Sequence, residues 1–387
     1  MSLLRVSLTD FRSYASLVWS PRTRISVLFG PNGTGKTNLL EAISLLSPGR
    51  GLRGARNQDF ARRAPGATGQ WAVAARMATP EGITEIGTGT PPDGPLDRRV
   101  FRLDRTTPRT QADITRRVAM VWLTPQMDRL FQEASAGRRR FLDRLVWALE
   151  PGHARQVASH DSAVSGRNRL LAEGRRDPSW LAGLDDAIAR HAVAVTAARI
   201  LLVRNLDAFL SGPGVPGFPP VRVTLNCPIA TRLETAPAIE VEDWLRAELA
   251  RTRDHDACTG SASVGAHRCN LVLSDAAHGL PASLASSGEQ KAMLVGLILA
   301  HAGLIAEARG FAPVLLLDEP AVHLDPARRE ALFDQIVRLP AQVLMTGTDA
   351  ETFLPLAEAA EGLRTGDGRL MPDPRFSLIV PAVPGAV

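Results

Sequence analysis

Lysine is nearly missing from this chain. Of 45 lysine and arginine residues among 387, only Lys36 and Lys291 are lysines, which leaves 43 arginines. Such a bias fits a GC-rich genome, and it makes a surviving lysine conspicuous, since lysine offers a compact ammonium where arginine offers a planar fork. Cysteine is scarce as well. Cys227, Cys258 and Cys269 are an odd, sparse set, unlike the paired framework of a small secreted domain. No uncharged apolar run approaches the roughly 18 residues of a membrane span, and the opening MSLLRVSLTDFRSY lacks the apolar core of a signal peptide. These absences predict a reduced, cytoplasmic chain with no membrane partner.

What is present is ordinary for a folded protein: 45% hydrophobic and 22% charged residues, with no sign of disorder. The length predicts two domains, or one domain carrying a large insertion. A net charge of +5 and a pI near 9.8 admit an anionic partner without specifying one.

Residues 3 to 29 read as short strands, LLRVSL and ISVLF, around a turn at Asp10 to Tyr14. Asn38 to Leu46 has helical spacing and stops at Pro48-Gly49. Between Gln70 and Leu103, WAVAARM and RRVFRL return to a strand-like pattern, with a loop at TGTPPDGP. From about residue 126 to 210 the period is helical, with apolar positions including Leu181, Leu184, Ile188, Val195, Leu202, Leu206 and Phe209. The Gly/Pro-rich SGPGVPGFPP closes that block, VRVTLN resumes strand character, and residues 281 to 349 alternate loop, helix and apolar strand. The expected organisation is an α/β head over 1–125 and 259–387, interrupted by a helical lobe over 126–258.

Gly30 to Thr37, GPNGTGKT, satisfies every specified position of a phosphate-binding loop between an apolar strand and a helix. Glycines let backbone N–H groups curl around phosphate oxygens, and the helix aims its positive end at them. Gly30, Pro31, Asn32, Gly33, Thr34, Gly35, Lys36, Thr37 and Asn38 are therefore the candidate ATP contacts, with Lys36 on the β and γ phosphates and the Thr37 hydroxyl on Mg²⁺. VLLLDEP, Val314 to Pro320, is an apolar strand ending in two carboxylates, Asp318 suited to a metal shell and Glu319 to polarising water. Ser286 to Ala300 opens with a Ser/Gly loop and continues as an apolar helix. Two readings of it stand: an anion-binding helix end, or a capping box between Ser286 and Glu289.

Phosphate loop, S-x-G-E/Q loop, VLLLDEP and VHLD in that order resemble the split ATPase head of the ABC class, whose two heads sandwich two ATP molecules. Carried over, Ser286 and Gly288 would cap the γ-phosphate of the opposite head, Asp318 would stand on the metal side, Glu319 would be the base, and Asp325 would lie on the turn linking the two sites. Lys36 and Asp318 are 282 residues apart. That is more than a compact transporter ATPase needs and far less than an SMC head with its coiled coil. With LLRVSLTDFRSYASLVW, GPNGTGKTNLLEAISLLSPGRGLR, WLTPQMDRLFQEASAGRRRFLD, GRNRLLAEG and VGAHR in order, the chain resembles the RecF family of bacterial recombinational repair proteins. The resemblance implies a mixed sheet with flanking helices and a helical lobe, weak DNA-stimulated ATPase activity and an ATP-dependent homodimer. It also implies binding to single-stranded and double-stranded DNA at gaps or junctions, and action with RecR and RecO that assists RecA. Two departures stand out: Cys269 and Asn270 follow VGAHR where the family carries acidic residues, and the strand ends Asp-Glu where many relatives have Asp-Asp. A transporter ATPase subunit and an SMC-like structural clamp are the alternatives, disfavoured by the inserted lobe and by the lack of a long heptad run respectively.

DNA contacts are expected among Arg53, Arg56, Arg62 and Arg63, and the triplet Arg138, Arg139 and Arg140, whose rival role is to brace the lobe against the head. His255, Cys258, His267 and Cys269 match no standard zinc spacing. Trp71, Trp122, Trp147, Trp180 and Trp244 read as packing residues. Gln126 is a candidate Mg²⁺ sensor, and Thr346 a candidate for the place where ABC heads often have a switch histidine.

Overall fold

The computed structural model describes residues 1–174 and 177–376. The first part of the chain forms β1 (Ser2–Phe11), β2 (Tyr14–Trp19), β3 (Ile25–Phe29), α1 (Lys36–Ser44), β4 (Ala72–Thr79), β5 (Gly82–Gly89), β6 (Val100–Leu103), α2 (Gln111–Arg117) and β7 (Met120–Leu123). The middle forms α3 (Ser135–Leu149), α4 (His153–Ala172), α5 (Pro178–Ser211), β8 (Val221–Asn226), α6 (Pro228–Leu233), α7 (Ala238–Arg251), α8 (Arg253–Thr259) and β9 (Asn270–Asp275). The last part forms α9 (Ser287–Arg309), β10 (Val314–Leu317), α10 (Pro326–Arg338), β11 (Gln342–Gly347), β12 (Ala360–Gly366) and β13 (Arg369–Pro372).

Two compact units divide these elements. The first comprises residues 1–128, 215–218 and 294–387, and the second comprises 129–214 and 219–293. The inner boundary therefore falls at 293 rather than at the expected 258. The reason is pairing: β9 runs antiparallel to β8 from Val221↔Asp275 to Asn226↔Asn270, so the stretch after 258 packs with the second unit. The Gly/Pro-rich link is likewise more than a spacer. Val215 to Phe218 return to the first unit, where a Cβ at Gly217 would lie 2.2 Å from Ala331 on α10.

In the first unit an antiparallel sheet has the order β2-β1-β4-β5-β6, and a mixed sheet has the order β13-β12-β3-β11-β10-β7. In the mixed sheet β12, β3, β11, β10 and β7 are parallel, and β13 turns back antiparallel on β12. β3, β10, β11 and β7 are buried throughout, as apolar strands covered on both faces require. Gln342 joins the two sheets, its amide donating to Leu3 O and its oxygen accepting from Leu3 N. α9 is long and apolar enough to cross a membrane, yet 72% of its apolar window is buried within the fold.

The second unit is built on α5, which Asp177 caps by accepting from Ser179 N and Trp180 N while Pro178 opens the first turn. Its core joins Ile188, Val193, Leu245 and Leu249 across α5 and α7. Within it Arg167 is fully buried: Nε donates to Asp185 at 2.8 Å, one terminal nitrogen to Asp256 at 2.8 Å and the other to Leu249 O at 2.6 Å. Trp180 departs from the expected packing role, being 52% exposed at the start of α5.

Cys227 and Cys269 form a disulfide, which corrects the expectation of reduced cysteines. Register is the cause: Asn226 pairs with Asn270, so the residues just outside that pair are adjacent, with Cα atoms 4.4 Å apart. Cys258 is free and exposed. Among the described residues no group of three or more His, Cys, Asp and Glu is placed to hold a metal.

His267 sets a pH dependence in this unit. Burial pushes its imidazole down from 6.5 to about 4, against the pull of its contact with Ala262 O. The folded chain thus keeps His267 neutral where the unfolded chain takes up a proton, so its contribution is present above pH 6.5 and is lost as pH falls towards 4. Urea melts across that window should show falling stability, and His267→Gln should flatten the slope; an unchanged slope would refute this assignment.

Candidate active site

The parallel strands place their carboxyl ends along one edge of the sheet, the usual location of a ligand crevice in such folds. From β3 the chain passes through Gly30, φ 144°, and Gly33, φ 83°, to Gly35, φ 104°, which immediately precedes α1. Space reinforces the choice at two of these. A Cβ at Gly30 would lie 2.9 Å from Thr365 O, and one at Gly35 would lie 2.7 Å from Ser13 Oγ and 2.9 Å from the Tyr14 hydroxyl. Lys36 is 5% exposed and folds back to donate to Gly30 O at 2.6 Å and Pro31 O at 2.9 Å. Burial pushes its ammonium below the usual range, while Glu319, Asp318 and Asp349 pull the other way. Pro31 and Asn32 are exposed, and Thr34 Oγ1 lies 2.7 Å from Thr365 Oγ1.

β10 delivers the carboxylates beside the loop. Thr37 Oγ1 donates to Asp318 Oδ1 at 2.9 Å, closing the sequence gap between the two motifs. Thr346, fully buried on β11, donates to the same Oδ1 at 2.8 Å and accepts from the Glu319 N–H at 2.9 Å. Glu319 has φ 51°, a left-handed conformation uncommon for a residue with a side chain, so the Thr346 contact holds a strained backbone. Thr346 therefore braces the Asp318 carboxylate and the backbone of Glu319. Gln126 is exposed, three residues beyond the end of β7.

A buttress behind the loop escaped the motif reading. In the tight β1–β2 turn, where Asp10 and Arg12 have positive φ, Arg12 grips the fully buried Glu41 of α1 through two bonds of 3.0 and 3.1 Å. Tyr14, the chain's one tyrosine, donates its hydroxyl to Gly35 O at 3.1 Å, and burial raises its pKa. Asn38 donates to Ser13 Oγ at 3.0 Å and accepts from Arg53 at 3.1 Å. Two signals in the sequence point to these partners: the single tyrosine, and an acid within the apolar run Leu39 to Ile43 of α1.

Other expected residues lie elsewhere. Asp325 caps α10 by accepting from Arg328 N at 2.8 Å. Ser286 is exposed and forms a capping box, its N–H and hydroxyl both 2.8 Å from Glu289 Oε2, with Gly288 the second residue of α9. Arg53 also lies 3.7 Å from Glu41, Arg62 lies 3.7 Å from Asp10, and Arg63 bonds Asp59 at 3.1 Å. Arg56 and Arg140 are exposed. Arg138 donates to Asn270 Oδ1 at 2.9 Å, and Arg139 donates to Cys269 O at 3.2 Å, so these two residues brace α3 against the start of β9 inside the second unit. The neutral Asn270 thereby supplies the acceptor at a position where an acidic residue was expected.

A phosphate loop and a carboxylate-tipped strand, meeting at the carboxyl edge of a parallel sheet and separated in sequence by an inserted unit, define an ABC-type ATPase head. Residues 2–367 match the RecF/RecN/SMC N-terminal domain. The DNA replication and repair protein RecF of Mesorhizobium japonicum is 45% identical over 370 residues, covering 95% of this chain and 97% of that protein. RecF of Agrobacterium fabrum is 45% identical over 369 residues, covering 95% and 98%. The chain belongs to the RecF family. Among solved structures, the recombination mediator protein RecF-ATP of the RecFOR pathway is similar with TM-score 0.82 at 20% identity, over 96% of this chain and 99% of that one. An SMC head bound to the C-winged helix domain of ScpA is similar with TM-score 0.51 at 16% identity, over 96% and 98%.

Proposed function

We propose that this protein binds and hydrolyses ATP and uses that cycle to act on DNA in recombinational repair. The carrying observation is the 2.9 Å contact of Thr37 with Asp318, which joins the two motifs into one site with Glu319 beside it. Lys36 releases Gly30 O and Pro31 O to neutralise the β and γ phosphates, and the loop's N–H groups take the remaining oxygens. Thr37 Oγ1 and Asp318 Oδ1 are hard oxygen donors that suit Mg²⁺, and these two residues would hold it. The ion, when bound, offsets phosphate charge. Glu319 takes a proton from the attacking water as its oxygen bonds to the γ-phosphorus and the bond to the ADP oxygen breaks.

The finer reading follows the family. Ser286, exposed at the start of α9, and Gly288 cap the ATP held by a second copy, so ATP links a homodimer, and hydrolysis releases it. The dimer acts in the cytoplasm on single-stranded and double-stranded DNA at gaps or junctions, with RecR and RecO, and assists RecA. Relatives named as DNA replication and repair proteins support this. Sedimentation with and without ATP and gapped DNA tests it. ATP should shift monomer to dimer; a monomer at saturating ATP removes the sandwich, and no DNA binding at low salt removes the repair role.

Thr346→Val keeps the shape of the brace and removes both hydrogen bonds. Bonds to charged groups are worth about 1.5–3 kcal/mol, so turnover should drop roughly 10- to 100-fold while nucleotide affinity changes little. Thr346→Ser should recover most of the rate. Equal loss in both variants would mean packing matters and the hydroxyl does not.

A further inference from the structure

We infer that the outer face of the five-stranded sheet is a phosphodiester-binding surface that holds the backbone of double-stranded DNA. The inference rests on the DNA-binding role proposed above and assigns that role to residues outside the arginine runs. From Leu3 to Leu8 along β1 the burial alternates except at Leu4 and Arg5, which are both exposed. There the register shifts, with Leu3 opposite Met77 but Arg5 opposite Arg76. The extra residue turns Arg5 onto the outer face, directly beside Arg76. Like charges opposite each other on neighbouring strands repel, so a stable fold keeps them at a cost. On the other side of Arg76 stands Glu85, which is already paired with Arg105 at 3.3 Å.

One row further along, Ser7, Ala74, Gly87 and Arg102 are in register across β1, β4, β5 and β6. Three small residues in line make a shallow floor, and the trough above it has a volume of about 460 Å³. Arg5, Arg76, Arg102 and Arg105 line it with Glu85 as the single acid, so the face is strongly cationic. The remaining lining residues, Ala75 and Ile86, bury their side chains in the core.

This chemistry favours a nucleic-acid backbone over an acidic protein segment. Protein partners are held mainly by aromatic or long apolar anchors, and the trough lining offers none, the exposed Val18 and Ile83 lying outside it. A flat floor of Ser, Ala and Gly lets a sugar-phosphate chain lie close, and guanidinium forks grip phosphate oxygens in pairs. The contacts carry no base information, so binding here is indifferent to sequence and sensitive to salt.

The test uses the full chain and a fluorescent duplex, with anisotropy followed through a potassium chloride series and nucleotide binding measured in parallel. Arg5→Ala with Arg76→Ala should weaken duplex binding about 10-fold or more and make the log-affinity against log-salt slope shallower by about 2, with nucleotide affinity unchanged. Arg5→Lys with Arg76→Lys keeps both charges and should keep the slope, which shows that any loss in the alanine pair is not misfolding. A wild-type slope and affinity in the alanine pair overturns the surface while leaving the DNA-binding role intact. No duplex binding by the unaltered chain overturns both. Unchanged duplex binding with lost binding to polyglutamate also overturns the proposal and assigns the face to an acidic polypeptide.

Discussion

Replacing Glu319 by glutamine is expected to lower ATP turnover by about 10²–10⁴-fold and to leave nucleotide bound, because the general base proposed above is lost while the hydrogen bonds of the phosphate loop are kept. The geometry separates the two effects. Glu319 is hydrogen-bonded into the site through its backbone, whose N–H donates to Thr346 Oγ1; glutamine keeps that bond and the side-chain volume and removes only the charge that helps keep Lys36 protonated. The contacts of Lys36 with Gly30 O and Pro31 O, and of Thr37 with Asp318, are untouched. Single-turnover phosphate release and nucleotide affinity measured together decide the matter, and the ATP-linked dimer should accumulate because its release step is blocked. Glu319→Asp retains a carboxylate one methylene shorter and should recover only part of the rate. If the glutamine variant turns over normally, the base is another group, and Asp349, which helps keep Lys36 charged, becomes the next residue to replace.

The largest stability effect is expected at Arg167. Its three nitrogens serve Asp185, Asp256 and the carbonyl of Leu249, and the two carboxylates are as deeply buried as the guanidinium. Arg167→Ala leaves Asp256 with only Thr252 Oγ1 and the Ser263 N–H, and leaves Asp185 with Arg253. Removing one partner of a buried ion pair costs about 3–5 kcal/mol, a large share of the stability of a domain. Arg167→Lys restores the charge but not the three-way fork and should recover part of the loss. Urea unfolding followed by tryptophan fluorescence reads this directly, since Trp147, Trp180 and Trp244 all lie in the same unit. A change under about 1 kcal/mol would mean that the carboxylates relax to water.

Phosphate loop, acidic strand and serine loop were legible because each packs its chemistry into a few consecutive residues whose types are dictated by phosphate, metal or helix capping. The brace and the buttress were not. Thr346 and Tyr14 are single side chains whose meaning arises only when β11 is laid beside β10 and the β1–β2 turn beneath Gly35. β7 illustrates the limit for the fold: four apolar residues, Met120 to Leu123, carry no period that separates a buried edge strand from a turn of helix. The cysteine pair needed the β8–β9 register in the same way. Runs of arginine do not show which way their side chains face. The conspicuous triplet turned inward at Arg138 and Arg139, whereas Arg5, Arg76 and Arg102, scattered through the sequence, share one face because strand pairing brings them there.

The strand order also dictates when the protein can become itself. β3, made among the first thirty residues, lies between β11 and β12, and neither exists until almost the whole chain has left the ribosome. At about 5–20 residues per second, ISVLF and its glycine loop wait tens of seconds with both edges unpaired, a short apolar segment of the kind that associates with other nascent chains. All of the second unit is synthesised within that interval, and its elements pair locally. Birth order and folding order are thus inverted: the segment that grips phosphate is translated first and matures last, so a chain truncated before β11 carries the complete loop motif without the sheet that shapes it.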